Sequence, residues 1–195
     1  MSRGMIYIVA ISILMFGGCS TKNPPMKRYL LEPDFSFGRV HSRYSDSSIK
    51  ISYPNDIIGR SGTNIYYSYN KLEDDSYQNS SWSSSSSQLI SSVIVRALEH
   101  GKVFDSIVDY RSISTTDYLL ESEIYHLYHK IRKDISLSIV AIRFDLIDLS
   151  NNRLVKSRRF SYKIPTKSID AIGYVEATNI ALERLSRDLV EWLAK

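Results

Sequence analysis

A single cysteine in 195 residues leaves no partner for an intramolecular disulfide, so apolar packing and hydrogen bonding must hold the chain together. One thiol and four histidines also fall short of a cysteine-rich zinc module. The sequence contains no G-x-S-x-G elbow and no glycine-rich phosphate loop, which removes the commonest nucleophile and nucleotide signatures. Charge of either sign is not in excess. Lys and Arg total 25 against 21 Asp and Glu, and a net +4 is too small to imply a nucleic-acid partner. Long apolar runs are absent too. The N-terminal run from Met5 to Phe16, broken by Tyr7 and Ser12, would reach only ~18 Å as a helix, against a bilayer core of ~30 Å.

What that N-terminus does contain is ordered. Arg3 supplies a basic start, the apolar run follows, and Gly17 and Gly18 stand before the lone thiol. This is the layout of a secretory signal peptide over residues 1–18. The stretch Phe16-Gly17-Gly18-Cys19 resembles the lipobox of bacterial lipoproteins. The resemblance implies that Cys19 receives a diacylglyceryl group, that cleavage occurs before it, and that the new amine is acylated. More than one acyl chain anchors firmly, at ~0.8 kcal/mol per buried methylene. Ser20 stands where an aspartate would resemble an inner-membrane retention signal, so the resemblance favours the outer membrane, on its periplasmic side. Residues 19–28, with Pro24 and Pro25, then read as the lipidated cysteine and an extended tether.

The remaining chain, residues 29–195, has the length of one domain. "RYLLEP" and "SIKISYP" read as strands closed by proline, and "TNIYYSYN" as a strand rich in β-branched and aromatic residues. The run "NSSWSSSSSQ" admits a flexible linker. The helical spacing of Trp82, Leu89, Val93 and Ala97 instead predicts a helix from Ser80 or Ser81 to Gly101, which explains the tryptophan better. "VFDSIVDY" predicts a short strand, followed by long strands at "DYLLESEIYHLYHKI", "ISLSIVAIRFDLIDL" and "RLVKSRRFSYKI". A tight turn at Asn151 and Asn152 would set Asp145 opposite Arg158. From about Asp170, Tyr174, Val175, Thr178, Ala181, Leu182, Leu185, Leu189 and Trp192 recur at helical spacing. The expected fold is α+β: a mostly antiparallel sheet with two amphipathic helices packed on one face, in a single domain.

Catalytic chemistry is not legible. His126 and His129 in "HLYH" point to opposite faces of a strand, and Glu121 with Glu123 reads as a solvated face. No metal, cofactor or catalytic residue is expected. From Leu149 to Ile169 there are six basic residues and no acidic one. They fit either an acidic partner or lipid headgroup, or an exposed strand protected from edge-to-edge pairing.

Several separated pieces share an order: the lipobox, "YLLEP", the aromatic strand Ile65 to Tyr69, Trp82, "ALEHGKVFDSIV", the paired long strands, and a last helix ending "LVEWL". Together, from Tyr29 to Leu193, they resemble the ABC-type transport auxiliary lipoproteins, the PqiC-like group. The resemblance implies a non-enzymatic accessory of a lipid transport system, partnered by an MCE-domain protein and an ABC permease and ATPase. It carries over one functional residue, Cys19. A structural or assembly lipoprotein of the envelope is the alternative, and homo-oligomerisation stays open. Candidate partner surfaces are Tyr66, Tyr67 and Tyr69, and Arg153, Lys156, Arg158, Arg159 and Lys163.

The anchor is directly testable. Cys19→Ala is expected to abolish palmitate labelling and release the protein from membranes; labelling that persists in the variant would refute the assignment.

Overall fold

A computed structural model describes residues 24–60, 62–70 and 72–195. The signal peptide, Cys19 and the first part of the tether lie outside the described residues. Nine strands form one sheet: β1 (Lys27–Tyr29), β2 (Ser48–Ile51), β3 (Asn55–Asp56), β4 (Asn64–Ser68), β5 (Asp75–Trp82), β6 (Ser106–Val108), β7 (Tyr118–Arg132), β8 (Ile135–Asp148) and β9 (Arg153–Pro165). Helix α1 (Ser86–Gly101) connects β5 to β6, and α2 (Ala171–Ala194) closes the chain. None of the described helices is long and apolar enough to cross a membrane.

The β7 strand organises the sheet. One edge pairs antiparallel with β8, which pairs in turn with β9. Along its other edge β2, β3 and β4 lie end to end, each parallel to it. Further out, β6 joins β2, and β5 then β1 join β4. The domain is α+β as expected. The long strands are antiparallel, whereas the short ones attach mainly in parallel, so the sheet is mixed. Parallel pairing needs a long crossover, and the segment containing α1 supplies it.

Burial follows the pleat until Tyr125. Leu120, Ser122 and Ile124 face the helices. The register with β8 then shifts between Ile124 and His126, and Leu127, His129 and Ile131 take over the same face. Without this bulge, strand alternation would turn His126, Tyr128 and Lys130 into the core. Across three strands the core rows read Leu120–Leu146–Lys156, Ser122–Phe144–Arg158, Ile124–Ile142–Phe160, Leu127–Val140–Tyr162 and His129–Ser138–Ile164. Both helices cover this face: α2 packs over β8 and β9, and α1 lies against α2, β2 and β6.

Three expectations are corrected. Trp82 does not open a helix. It ends β5, where its N–H donates to Thr63 O at 2.7 Å and its ring packs 5.9 Å from Tyr174. Helix α1 starts four residues later, capped by Ser85 Oγ, which accepts from Gln88 N–H at 3.3 Å. Sheet pairing therefore claims the first serines and the helix claims the last, and no linker exists there. Second, Asp145 faces Ser157, and Arg158 faces Phe144. The turn spans four residues, 149–152, because the Asp148 carboxylate accepts from Ser150 N–H and Oγ and from Asn151 Nδ2 at 2.9, 2.7 and 3.2 Å. A second register shift, at Leu146/Ile147, leaves Val155 as the extra residue. Third, "RYLLEP" is a strand only to Tyr29. The chain then straps across the outside of both helices. Glu32 N–H donates to Asn179 Oδ1 at 2.8 Å, Arg96 donates to Leu31 O at 3.0 Å, and Val40 N–H donates to Gly101 O at 3.0 Å.

The helix pair meets closely at Gly101. A Cβ there would stand 2.6 Å from Val190 Cγ1. The residue in the left-handed conformation is the next one, Lys102, at φ 54°. Gly101 is thus required by helix contact rather than by the turn.

An aromatic column crosses the helix-facing side near the base of β7. Tyr77 Oη lies 2.7 Å from His129 Nδ1, and the imidazole stacks 5.3 Å from the Tyr174 ring. His129 Nε2 reaches Ser136 Oγ at 2.7 Å, and Ser136 reaches Thr166 Oγ1 at 2.5 Å. Burial pushes the Tyr77 phenol up, so it stays neutral, and the neutral imidazole has a hydroxyl partner at each ring nitrogen, one able to donate and the other to accept. Burial, partly opposed by Asp170, holds the His129 pKa down at about 4.

Two stability predictions follow from these contacts. Gly101→Ala should lower unfolding stability by about 1–3 kcal/mol in urea titrations, because valine is stiff and cannot swing aside. Gly38→Ala, with nothing within 4 Å of the added methyl, should be near neutral. For His129, the folded pKa of about 4 lies below the ordinary 6.5, so the unfolded chain binds more protons between those values. Stability should be full above pH 6.5 and fall as pH drops through that value toward 4. The urea midpoint should show this decline in the native chain and a shallower one in His129→Gln; equal slopes would contradict it.

Candidate functional site

The helix-free face of the sheet and its β9 edge carry the protein's accessible chemistry. Rows on this face are Glu121–Asp145–Ser157, Glu123–Arg143–Arg159, His126–Ala141–Ser161 and Tyr128–Ile139–Lys163. Arg143 takes both neighbouring carboxylates, Asp145 at 3.1 Å and Glu123 at 3.2 Å, and these anions hold its pKa above the usual guanidinium range. Arg159 forms no ion pair with any described residue. Its guanidinium lies 4.0 Å from the centroid of the Tyr125 ring, the residue made extra by the bulge.

Beside this lattice a cleft of about 360 Å³ opens between the outer side of β7 and the β3–β4 and β4–β5 connections. Its floor is His126, Tyr128, Lys130 and Arg132, at alternate positions of one strand. Arg60 forms one wall, ion-paired with Asp74 and lying over the rings of Tyr66 and Tyr128 at 5.1 and 5.5 Å. Burial, then Arg159 and Arg60, push the His126 pKa down. Lys130 and Arg132 have no ion pair among the described residues. The arrangement is suited to holding polar or charged groups. Among the described residues no group of three His, Cys, Asp or Glu converges as a metal site, and the hydrogen-bonded His129 is fully buried.

The candidate residues divide between the two faces. Tyr66 lies under Arg60 on the helix-free side. Tyr67 and Tyr69 belong to the aromatic column: their rings are 5.3 Å apart, Tyr67 is 5.0 Å from Tyr77, and Tyr69 is 62% exposed. On β9, Arg159 and Lys163 share the helix-free face, while Arg153, Lys156 and Arg158 point to the helix side. Lys156 is occupied there. Its Nζ donates to Trp192 O at 2.8 Å and Leu193 O at 3.1 Å, and it lies 5.1 Å from the Trp192 ring centroid. It thereby satisfies carbonyls at the last turn of α2. Burial, and secondarily Arg43, lower its pKa to about 8. The two candidate patches are separated by β7 and β8 and do not form one site.

Sequence reasoning missed the cleft. Its signal was the i, i+2 spacing of His126, Tyr128, Lys130 and Arg132, but the bulge at Tyr125 decides which way that row points. Arg60 comes from a distant loop and left no local trace.

Comparison with known proteins agrees with this architecture. Protein XCC0632 from Xanthomonas campestris superposes with a TM-score of 0.71 at 19% identity, over 87% of this chain and 92% of that one. PelC from Paraburkholderia phytofirmans, solved as a dodecamer, gives 0.52 at 12% identity over 79% and 93%. The hypothetical protein CT253 from Chlamydia trachomatis gives 0.52 at 10% identity over 76% and 96%. At these identities the likeness is one of fold. No curated protein matches the chain in sequence. The family model described as the ABC-type transport auxiliary lipoprotein component matches residues 61–190, two thirds of the sequence, and the chain belongs to that family.

Proposed function

We propose that this protein is a non-enzymatic accessory of an ABC transport system that moves lipids across the cell envelope, with an MCE-domain protein as its partner. In this reading Cys19 carries the acyl chains and holds the domain at the outer membrane, facing the periplasm. The observation that carries the reading is the family match over residues 61–190, since an auxiliary component works through the transporter it serves. The chemistry on the surface supports it. A helix-free sheet face offers contacts through aromatic rings and through cations that form no ion pair with any described residue, while the buried imidazole of His129 is consumed by the core.

A second reading, an envelope assembly factor acting as a homo-oligomer, is favoured by one observation: the fold likeness to PelC, which was solved as a dodecamer. Detergent co-purification separates the two. The full-length lipidated protein is expected to retain an MCE-domain protein together with the ABC permease and ATPase, and its deletion to make the envelope more permeable to detergents and hydrophobic antibiotics. A deletion with intact lipid transport and barrier, with the purified protein found only as its own oligomer, would favour the assembly reading.

A further inference from the structure

The sheet ends on one side in a strand unlike its other edge strands. β1 and β6 are three residues each and β3 is two, and such brevity protects an edge from unwanted pairing. β9 is thirteen residues long and, among the described residues, pairs only with β8, so its outer edge presents a row of backbone N–H and C=O groups that no described strand pairs. Nine of its residues are exposed, including Leu154 at 59% and Val155 at 38%.

Its charge is one-sided. The strand holds Arg153, Lys156, Arg158, Arg159 and Lys163 and no acidic residue. Lys156 is engaged by the end of α2, but the other four form no ion pair with any described residue. They also divide between the faces, Arg153 and Arg158 toward the helix side and Arg159 and Lys163 toward the helix-free side. A strand laid along this edge would place alternate side chains beside both pairs, because directly opposed Cβ atoms stand ~4.5–5.5 Å apart.

We infer that the outer edge of β9 is a docking site for an extended, acidic segment of a partner protein, which adds to the sheet as a further strand. Backbone hydrogen bonds hold such a segment, and carboxylates on both of its faces set its identity and register. A second copy of this chain is the wrong occupant. Full antiparallel overlap of two β9 strands puts Arg159 opposite Arg159, and a register two residues away puts Arg158 opposite Arg158 and Arg153 opposite Lys163. The inference rests on the reading that the protein works by holding a partner, and it names the chemistry of the contact.

The test uses the purified chain and a fluorescent peptide of about ten residues in which pairs of glutamates alternate with pairs of valines, so that carboxylates lie on both faces of the added strand. Fluorescence anisotropy should show it binding at least about tenfold more tightly than a valine–lysine counterpart. N-methylation of alternate amides along one edge of the peptide should remove binding, and β9 amides should gain protection from hydrogen exchange. The double variant Arg153→Glu with Lys163→Glu should lose the acidic peptide while keeping its thermal unfolding midpoint. Binding indifferent to N-methylation would be charge attraction alone and would overturn the inference, as would absence of binding or a dimer joined through β9. If the transporter components still co-purify with the double variant, the docking site is wrong and the accessory reading stands. If they are lost from it, both are supported.

Discussion

Everything in this domain is measured from β7 and its one bulge. The strand holds β8 along nearly its whole length on one edge and three short parallel strands end to end on the other. Because side chains alternate with a period of two, a fifteen-residue strand can keep one face apolar only if its sequence alternates without error or its backbone absorbs the error. The sequence changes phase at Tyr125, and the extra residue there absorbs the change. Leu120, Ile124 and Leu127 then share one core with α1 and α2, and Ile131 is buried on the same face.

The same bulge builds the opposite face. Turning Leu127, His129 and Ile131 inward turns His126, Tyr128, Lys130 and Arg132 outward, which creates the floor of the cleft. The extra residue itself, Tyr125, becomes the ring on which Arg159 rests and a hydrogen-bond partner of Arg143 at 3.3 Å. Core and surface are thus two consequences of one backbone irregularity.

The N-terminal segment adds a third layer that links the proposed anchor to the core. After β1 the chain crosses both helices, fastened by Arg96, Asn179 and the Gly101 carbonyl, with Leu31 buried beneath it. Tyr44 then inserts beside Phe104 and Tyr118 at ring distances of 5.2 and 4.9 Å. The segment that follows β1 is thus fastened to the helix pair and to the start of β7.

The sequence by itself determined the elements whose information is local. Residues 174 to 192 repeat at helical spacing and form α2, starting near Asp170 as expected; the structure adds that Asp170 is the cap, its carboxylate accepting from Gly173 N–H at 2.9 Å. The alternating runs at 118–132, 135–148 and 153–165 form β7, β8 and β9. The order of strands and helices was enough to give the α+β class, and the separated sequence pieces from "YLLEP" to "LVEWL" carried the family resemblance that the family match bears out. Tertiary structure decided whatever depends on backbone pairing across long separations. Trp82 became the end of a strand because β4 and β1 flank it, although its spacing from Leu89 suits a helix equally well. Asp145 met Ser157 because the Asp148 carboxylate widened the turn and Val155 bulged. The basic residues of β9 were legible as a cluster, but their division between two faces was not. One residue of register exchanges those faces, and register is set by the whole sheet rather than by the strand that carries them.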